Sequence, residues 1–402
     1  MVAKINADTS GGLKITSDTS GTLEIQSAGT TKFTVNSAGV AMPGPLTGLT
    51  SINGGQVGGS RNKIINGAME INQRGTAAVA TDQAFPSDRF KTAEAGGGNM
   101  TAQVVADAPA SFRNSIKVIA STADDCSQAA DEYRIYQRIE GNNVVDLYYG
   151  NSGAKTTTLS FWVKSSLTGN FPVGLENSAS NRTHVKQYTI NSADTWEKKS
   201  VTFVGDEAGT WLITNGTGLS VSFVLGAGSN YTGTIDSWQG SRLYRGSSSV
   251  QFMATVNATW FVTGVQLEVG STATDFEYRT FGEELALCQR YYEQSYNYGI
   301  AVGTTTYDGG SFVGGSATTR TTGYIAGGSI DFRVEKRGDP TIVAYDQAGA
   351  SGKSQRYELG VSNTNNSAIA IGHTDLRNFM CYSNTGSNAT GLFLHFTATA
   401  EL

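Results

Sequence analysis

His184, His373 and His395 are the only histidines in the 402 residues, and none stands in a G-x-S-x-G or H-E-x-x-H setting. Nucleophilic and zinc-dependent hydrolysis therefore find no support. A glycosidase needs two carboxyls across the scissile bond, and the tightest acidic groups are Asp124-Asp125, Asp131-Glu132 and Glu283-Glu284. The last pair suits a helix N-terminus, where negative charge is favoured. The first lies in an expected loop, where calcium is the metal to consider. The glycine-rich stretches GAGSNYTG (226–233) and GGSFVGG (309–315) precede no Walker lysine. Cys126, Cys288 and Cys381 are widely spaced, fit no metal or redox pattern, and read as buried or inert thiols. No catalytic residue, metal or cofactor is expected.

What remains is recognition by aromatic side chains. Tyr gives large contact area at little conformational cost, and Gly, Ser, Asn and Thr around it give adaptable hydrogen bonds. Residues 295–402 have that mixture, and Tyr307, Arg320, Tyr324, Tyr345 and Tyr357 are its candidate contact residues by type, although Tyr is also an ordinary strand residue. All five tryptophans lie between 150 and 262. In Leu159-Ser-Phe161-Trp162-Val163, Trp162 faces opposite to Leu159, Phe161 and Val163. It is either exposed, where an indole stacks on a sugar ring, or it covers a sheet face or a subunit contact.

The elements that must carry these residues are strands. With 49 Gly, abundant Ser, Thr and Asn and only 16% charged residues, the composition favours short strands and tight turns, hence an all-β protein. Residues 11–36 repeat with period ten, each unit placing two apolar residues two apart: Leu13 and Ile15, Leu23 and Ile25, Phe33 and Val35. Two inward side chains at about 1.5–3 kcal/mol each cannot offset ordering some ten residues at roughly 1–2 kcal/mol apiece. The units fold only if their apolar faces are shared, as in a trimeric stalk; the other reading is a disordered tail. A Gly-rich linker (37–61) follows, and strand candidates at 64–71, 101–106, 115–120, 132–140, 157–164, 186–190, 199–204, 210–213, 219–225 and 258–269 suit a jelly-roll β-sandwich over 62–280. Thr280 stands three residues before Glu283, a capping-box spacing that opens an amphipathic connecting helix over 281–294. Residues 295–402 read as a C-terminal β-sandwich tip, with strands at 299–306, 317–326, 329–334, 341–345, 355–361, 367–372 and 391–400. The last strand alternates Leu392, Leu394, Phe396, Ala398 and Ala400 to the end of the chain.

The segments GVQLEVGSTATDFEYRTFGEELALCQRYY (264–292), NKIINGAMEINQRGT (62–76), SDRF (87–90), YRIYQRIEG (133–141), LSFWVKSS (159–166) and TWEKKSVTF (195–203) resemble bacteriophage tail fibres and receptor-binding proteins with a carbohydrate-binding-module-like jelly roll. The resemblance implies a non-enzymatic homotrimer in the virion tail, made in a host cytoplasm. Residues 1–36 would attach to a phage tail or baseplate protein, the helices would bundle about the threefold axis, and the tip would bind a host surface glycan. Two alternatives stay open: a tailspike-type polysaccharide depolymerase, and a purely structural baseplate or decoration protein. The net charge of −5, with no run of Lys or Arg, speaks against nucleic acid as a partner. No apolar run reaches the roughly 20 residues of a membrane helix, so no membrane insertion is expected.

Overall fold

The computed structural model describes residues 60–314, 325–358, 364–383 and 389–402, and strand segments at 23–27, 30–36, 39–41, 51–52 and 55–56. In the first unit, Met1–Ile52, β1 (Leu23–Ser27), β2 (Thr30–Asn36) and β3 (Gly39–Ala41) pair antiparallel, Leu23 facing Val35 and Ile25 facing Phe33. The second and third repeats thus form one strand each; the first lies outside the described residues. Two-residue strands β4 (Ser51–Ile52) and β5 (Gly55–Gln56) come next in the chain.

In the second unit, Asn53–Leu402, alternating apolar residues build a jelly-roll sandwich from β6 (Lys91–Ala95), β7 (Asn99–Val105), β8 (Ser115–Thr122), β9 (Glu132–Glu140), β10 (Thr157–Ser165), β11 (Gly169–Glu176), β12 (Thr183–Ile190), β13 (Glu197–Phe203), β14 (Thr217–Ala227), β15 (Trp238–Gln239) and β16 (Thr259–Val269). One sheet runs β13-β10-β16-β8-β7 and the other β15-β12-β11-β14-β9-β6. Leu159, Phe161 and Val163 of the first sheet meet Val173, Val221 and Phe223 of the second in one core, with Trp260 fully buried among them. Strands β6 and β11 escape sequence reading because Pro172 and two glycines argue against β11. Pairing with β12 along its whole length overrides that local preference.

Four expectations are corrected. Residues 210–213 and 299–306 are turn and loop, since no strand lies beside them to pair with their backbones. The connecting helix is shorter than 281–294: α1 is Phe281–Gln289, with the Thr280–Glu283 capping box in place, and Tyr292–Gln294 is β17. There, pairing with Thr397–Thr399 supplies the hydrogen bonds that a longer helix would have made. Residues 64–71 are coil. Their apolar residues point to two cores, Ile64 and Met69 into the sandwich, Ile65 and Ile71 onto Cys288 and Tyr291. Asn66 and Met69 hold φ of 59° and 57°, outside strand geometry.

A buried coil must find partners for its backbone from elsewhere. Glu277 accepts from the N–H of Asn62 (2.8 Å) and Glu284 from that of Asn66 (2.5 Å). Arg279 donates to the carbonyls of Ile64 and Asn62, and Gln137 accepts from the N–H of Ile65 while donating to its carbonyl. At Gly264 (φ 60°) β16 bulges, and the freed Val265 N–H donates to the Gly67 carbonyl at 2.9 Å.

The last body is organised on β25 (Ala389–Thr399), against which β17, β18 (Ser311–Gly314), β20 (Thr341–Tyr345) and β21 (Lys353–Glu358) pair; β22 (Thr364–Ala368) extends the sheet. β19 (Ile325–Asp331), β24 (Asn378–Ser383) and β23 (Ala370–Gly372) form the facing sheet, with Ile330, Phe332, Phe379 and Phe396 between. Leu392, Leu394, Phe396, Ala398 and Ala400 are all buried, but so are Phe393, His395 and Thr397, so β25 is covered on both faces and burial along it does not alternate. Beyond β25, Glu401 pairs with Arg89 and Arg74, and Arg74 also pairs with Asp88 (3.3 Å).

A Cβ on Gly67 would stand 2.1 Å from the Val265 carbonyl oxygen, so Gly67→Ala should destabilise the chain by at least about 1–3 kcal/mol in denaturant titration. Burial lifts the Asp88 carboxyl to about 6, against the opposing pull of Arg74. A raised carboxyl gives stability fully present below about pH 4 and lost as pH rises through 6. Asp88→Asn should flatten that part of the stability–pH curve relative to the parent chain, by up to about 3 kcal/mol.

Candidate functional site

The carboxylates singled out by sequence hold structure. Asp124 Oδ2 accepts from the N–H groups of Gly97 (2.8 Å) and Gly98 (3.1 Å) and from the Tyr133 hydroxyl (2.7 Å), and Oδ1 accepts from the Cys126 N–H (2.8 Å). Asp124 lies near Cys126 and Asp131, but its oxygens are engaged in closing loops. Burial pushes the Cys126 thiol up to about 12, so it stays protonated at neutral pH. Cys288 and Cys381 are likewise buried free thiols, with Cys381 raised to about 11. Glu132 is locked onto Arg134 at 2.5 Å. His395 stacks on Tyr296 with centroids 3.9 Å apart, its Nδ1 3.2 Å from the Ser295 hydroxyl and its Nε2 3.0 Å from the Thr306 carbonyl. It is a packing residue whose pKa burial lowers.

Each sheet of the sandwich has an outer face. That of the six-stranded sheet is closed by residues 228–250: Arg242 reaches Glu132 and Glu176, Ser249 accepts from Gln187 (2.7 Å), and the Val250 N–H donates to Asn170. The face of the five-stranded sheet is covered only in part. Around Gln266 and Glu268 it is capped by Thr274 and Asp275. Beyond that cap Thr263 and Phe261 are still buried, Trp162, Trp196, Lys117 and Lys164 are half-buried and Lys198 is exposed, and the side chains follow the register.

Opposite residues of antiparallel strands share a face. Lys198, Trp162 and Thr263 lie side by side on β13, β10 and β16. In the next row Lys164 faces Phe261, Phe261 faces Lys117, and Lys117 faces Gln103. Trp196, just before β13, completes this row: the Lys164 ammonium lies 5.2 Å from its ring and 4.3 Å from that of Phe261. Asp107 meets Lys164 Nζ at 2.5 Å and accepts from the Trp196 indole at 3.2 Å. Burial would raise the Asp107 carboxyl, but these two donors outweigh it and hold it below its ordinary value. Trp162 is partly exposed on the side away from Leu159, Phe161 and Val163, as alternation requires. Trp196, Phe261 and the three lysines were not singled out from sequence, because cross-strand register is invisible there.

The second aromatic group is in the C-terminal body. Tyr307 (50% exposed) and Tyr357 are joined through their hydroxyls, and Gln355 donates to Tyr307 at 3.1 Å. Phe312 (60% exposed) lies edge-on to Tyr357 at 5.2 Å, and Phe393 packs on Tyr307 at 5.1 Å. Tyr345 is not in this group. It joins the other end of a row of rings running through Tyr296, His395 and Phe393. Arg320 and Tyr324 lie outside the described residues. Phe312 and Phe393 carry no sequence signal beyond ordinary strand alternation.

No protein-family model and no curated protein matches the chain. Among solved structures it is similar to the enzymatically active domain of tailspike protein 4 of bacteriophage CBA120 (11% identity, 52% of this chain, TM-score 0.27), of whose chain it spans about a fifth, 21%. It is similar also to a xylan-binding domain of Paenibacillus barcinonensis (10% identity, 56% of this chain and 100% of that one, TM-score 0.28). A third is the family 11 carbohydrate-binding module of Clostridium thermocellum (10%, 50% and 99%, TM-score 0.27). At these scores the likenesses carry no argument, and the jelly-roll assignment rests on the sheets described above.

Trp162→Ala should leave stability within about 1 kcal/mol of the parent in urea unfolding, whereas Trp260→Ala, in the core, should cost about 3–5 kcal/mol.

Proposed function

We propose that the chain is a bacteriophage tail fibre that attaches the virion to a bacterial surface by binding a glycan, without catalysis. The observation that carries this reading is the group Tyr307, Phe312 and Tyr357: exposed or half-exposed rings with hydroxyl and amide partners, Phe312 and Tyr357 on strands paired to β25 and Tyr307 in the loop before β18. Rings of this kind stack on sugars, and the tyrosine hydroxyls bind sugar hydroxyls, with the buried Gln355 holding that of Tyr307 in place. The sequence resemblance at residues 62–295 supports the tail-fibre role, and the structural work done by Asp124, Glu132 and Glu283 supports binding without hydrolysis. The N-terminal strands would serve as a stalk and attach to a tail or baseplate protein.

Three chains together would multiply weak sites into useful avidity. The buried side of α1 is already covered by Ile65, Ile71 and Leu402, so a threefold bundle would use its other side, where Phe281 is 51% exposed.

Fluorescently labelled whole chain should stain bacterial cells that carry its receptor, and Tyr307→Ala with Tyr357→Ala should lower staining at least about tenfold, roughly 1.4 kcal/mol. Unchanged staining would remove the tip from the reading. Light scattering should give three times the 42.4 kDa chain mass. A monomer would exclude the trimer, and shortening of surface polysaccharide on incubation would favour a depolymerase.

A further inference from the structure

We propose that the open face of the five-stranded sheet is a docking surface for an acidic polysaccharide, whose rings stack on Trp162 and Trp196 while its carboxylates meet Lys117, Lys164 and Lys198. The inference rests on the glycan-binding reading and deepens it to a ligand class and a second surface.

Charge complementarity is the first argument. Acidic groups outnumber Lys and Arg over the whole chain, 34 to 29, yet on these two rows three lysines interleave with three aromatic rings and only Asp107 opposes them. Lys198 is exposed, and Lys117 adds its charge to that of Lys164 around Asp107. A ligand with apolar ring faces and anionic substituents uses both rings and lysines.

Asp107 shows what the face accepts. Its carboxylate bridges an ammonium and an indole N–H, the two donors that a uronate carboxylate would take in the same geometry. The residue belongs to the loop after β7 and its side chain is 47% exposed, so it can be displaced. Beside this point Thr263, directly across from Trp162, is fully buried and its Oγ1 has no hydrogen-bond partner. The spacing also fits a polymer. Lys164 and Lys117 stand two strands apart, about 10 Å at the usual strand separation, with Phe261 between them. In a polyuronate, carboxylates two sugars apart have a spacing of that order.

Lysines beside aromatic rings also suit single-stranded nucleic acid. Three cations on a net acidic chain are few for a phosphate polymer, whose affinity grows with the number of charges neutralised.

The test is affinity electrophoresis of the intact chain through gels containing alginate, a polyuronate, or dextran, a neutral glucan. We expect alginate to retard the chain, less so as salt rises. Lys117→Ala with Lys198→Ala should weaken that retardation about tenfold, Trp162→Ala should weaken it too, and Asp107→Asn should strengthen it severalfold. Retardation by dextran as strong as by alginate, unmoved by the lysine substitutions, would overturn the acidic class and leave glycan binding standing. No retardation by either polymer, or no effect of Trp162→Ala, would overturn this surface. Cell staining through Tyr307 and Tyr357 would then still report on the tip. Displacement of alginate by single-stranded DNA at comparable concentration would overturn the polysaccharide as ligand.

Discussion

The fold depends on an exchange of hydrogen bonds between two stretches about 200 residues apart in the chain. Residues 62–71 are largely buried without being helix or strand, so their backbone groups need partners beyond a regular ladder; Asn62 and Asn66 supply some from within, and others must come from outside. Glu277, Arg279 and Glu284 supply several, and the bulge at Gly264 offers the Val265 N–H in return. Removing one member would leave another buried and unsatisfied, at about 1–3 kcal/mol per group. The arrangement is therefore held as a unit. It also fixes where α1 begins, because Glu283 closes the capping box while its neighbour Glu284 binds Asn66.

The same stretch joins the two bodies of the second unit. Alternate apolar residues of one coil enter the sandwich core and the small core under α1. Ion pairs of Arg74 and Arg89 with Glu401 bring the end of the chain to the same place. A strand with polar residues on one face could not serve two cores in this way. A coil with residues at positive φ can, since each side chain is aimed separately.

Binding surface is what remains after these closures. The loop over β9, β14, β11 and β12 removes one sheet face from solvent with a network of arginines, glutamates and tyrosines. The segment after β16 removes the lower rows of the other face. The open rows keep rings and lysines in fixed register on paired strands. The tip does the same with Phe312 and Tyr357 about β25, and Tyr307 joins them from the preceding loop. A rigid scaffold under exposed rings lowers the ordering cost of binding.

Much was legible from local sequence. Period-two alternation gave β9 and β20 to the residue, and it placed Trp162 on the outer face and Leu392 to Ala400 on the inner one. The Thr280–Glu283 spacing marked the helix start because a capping box is complete within four residues. Tertiary structure alone decided that residues 64–71 are coil, that α1 stops at Gln289, and which rings gather. Tyr307 and Tyr357 meet while Tyr345 stands apart, and Trp162 lies beside Lys198 and not beside another tryptophan. The physical reason is range. Alternation and capping depend on neighbours along the chain, whereas a binding face depends on which strands pair and in what register, and that is settled by contacts between residues far apart in sequence.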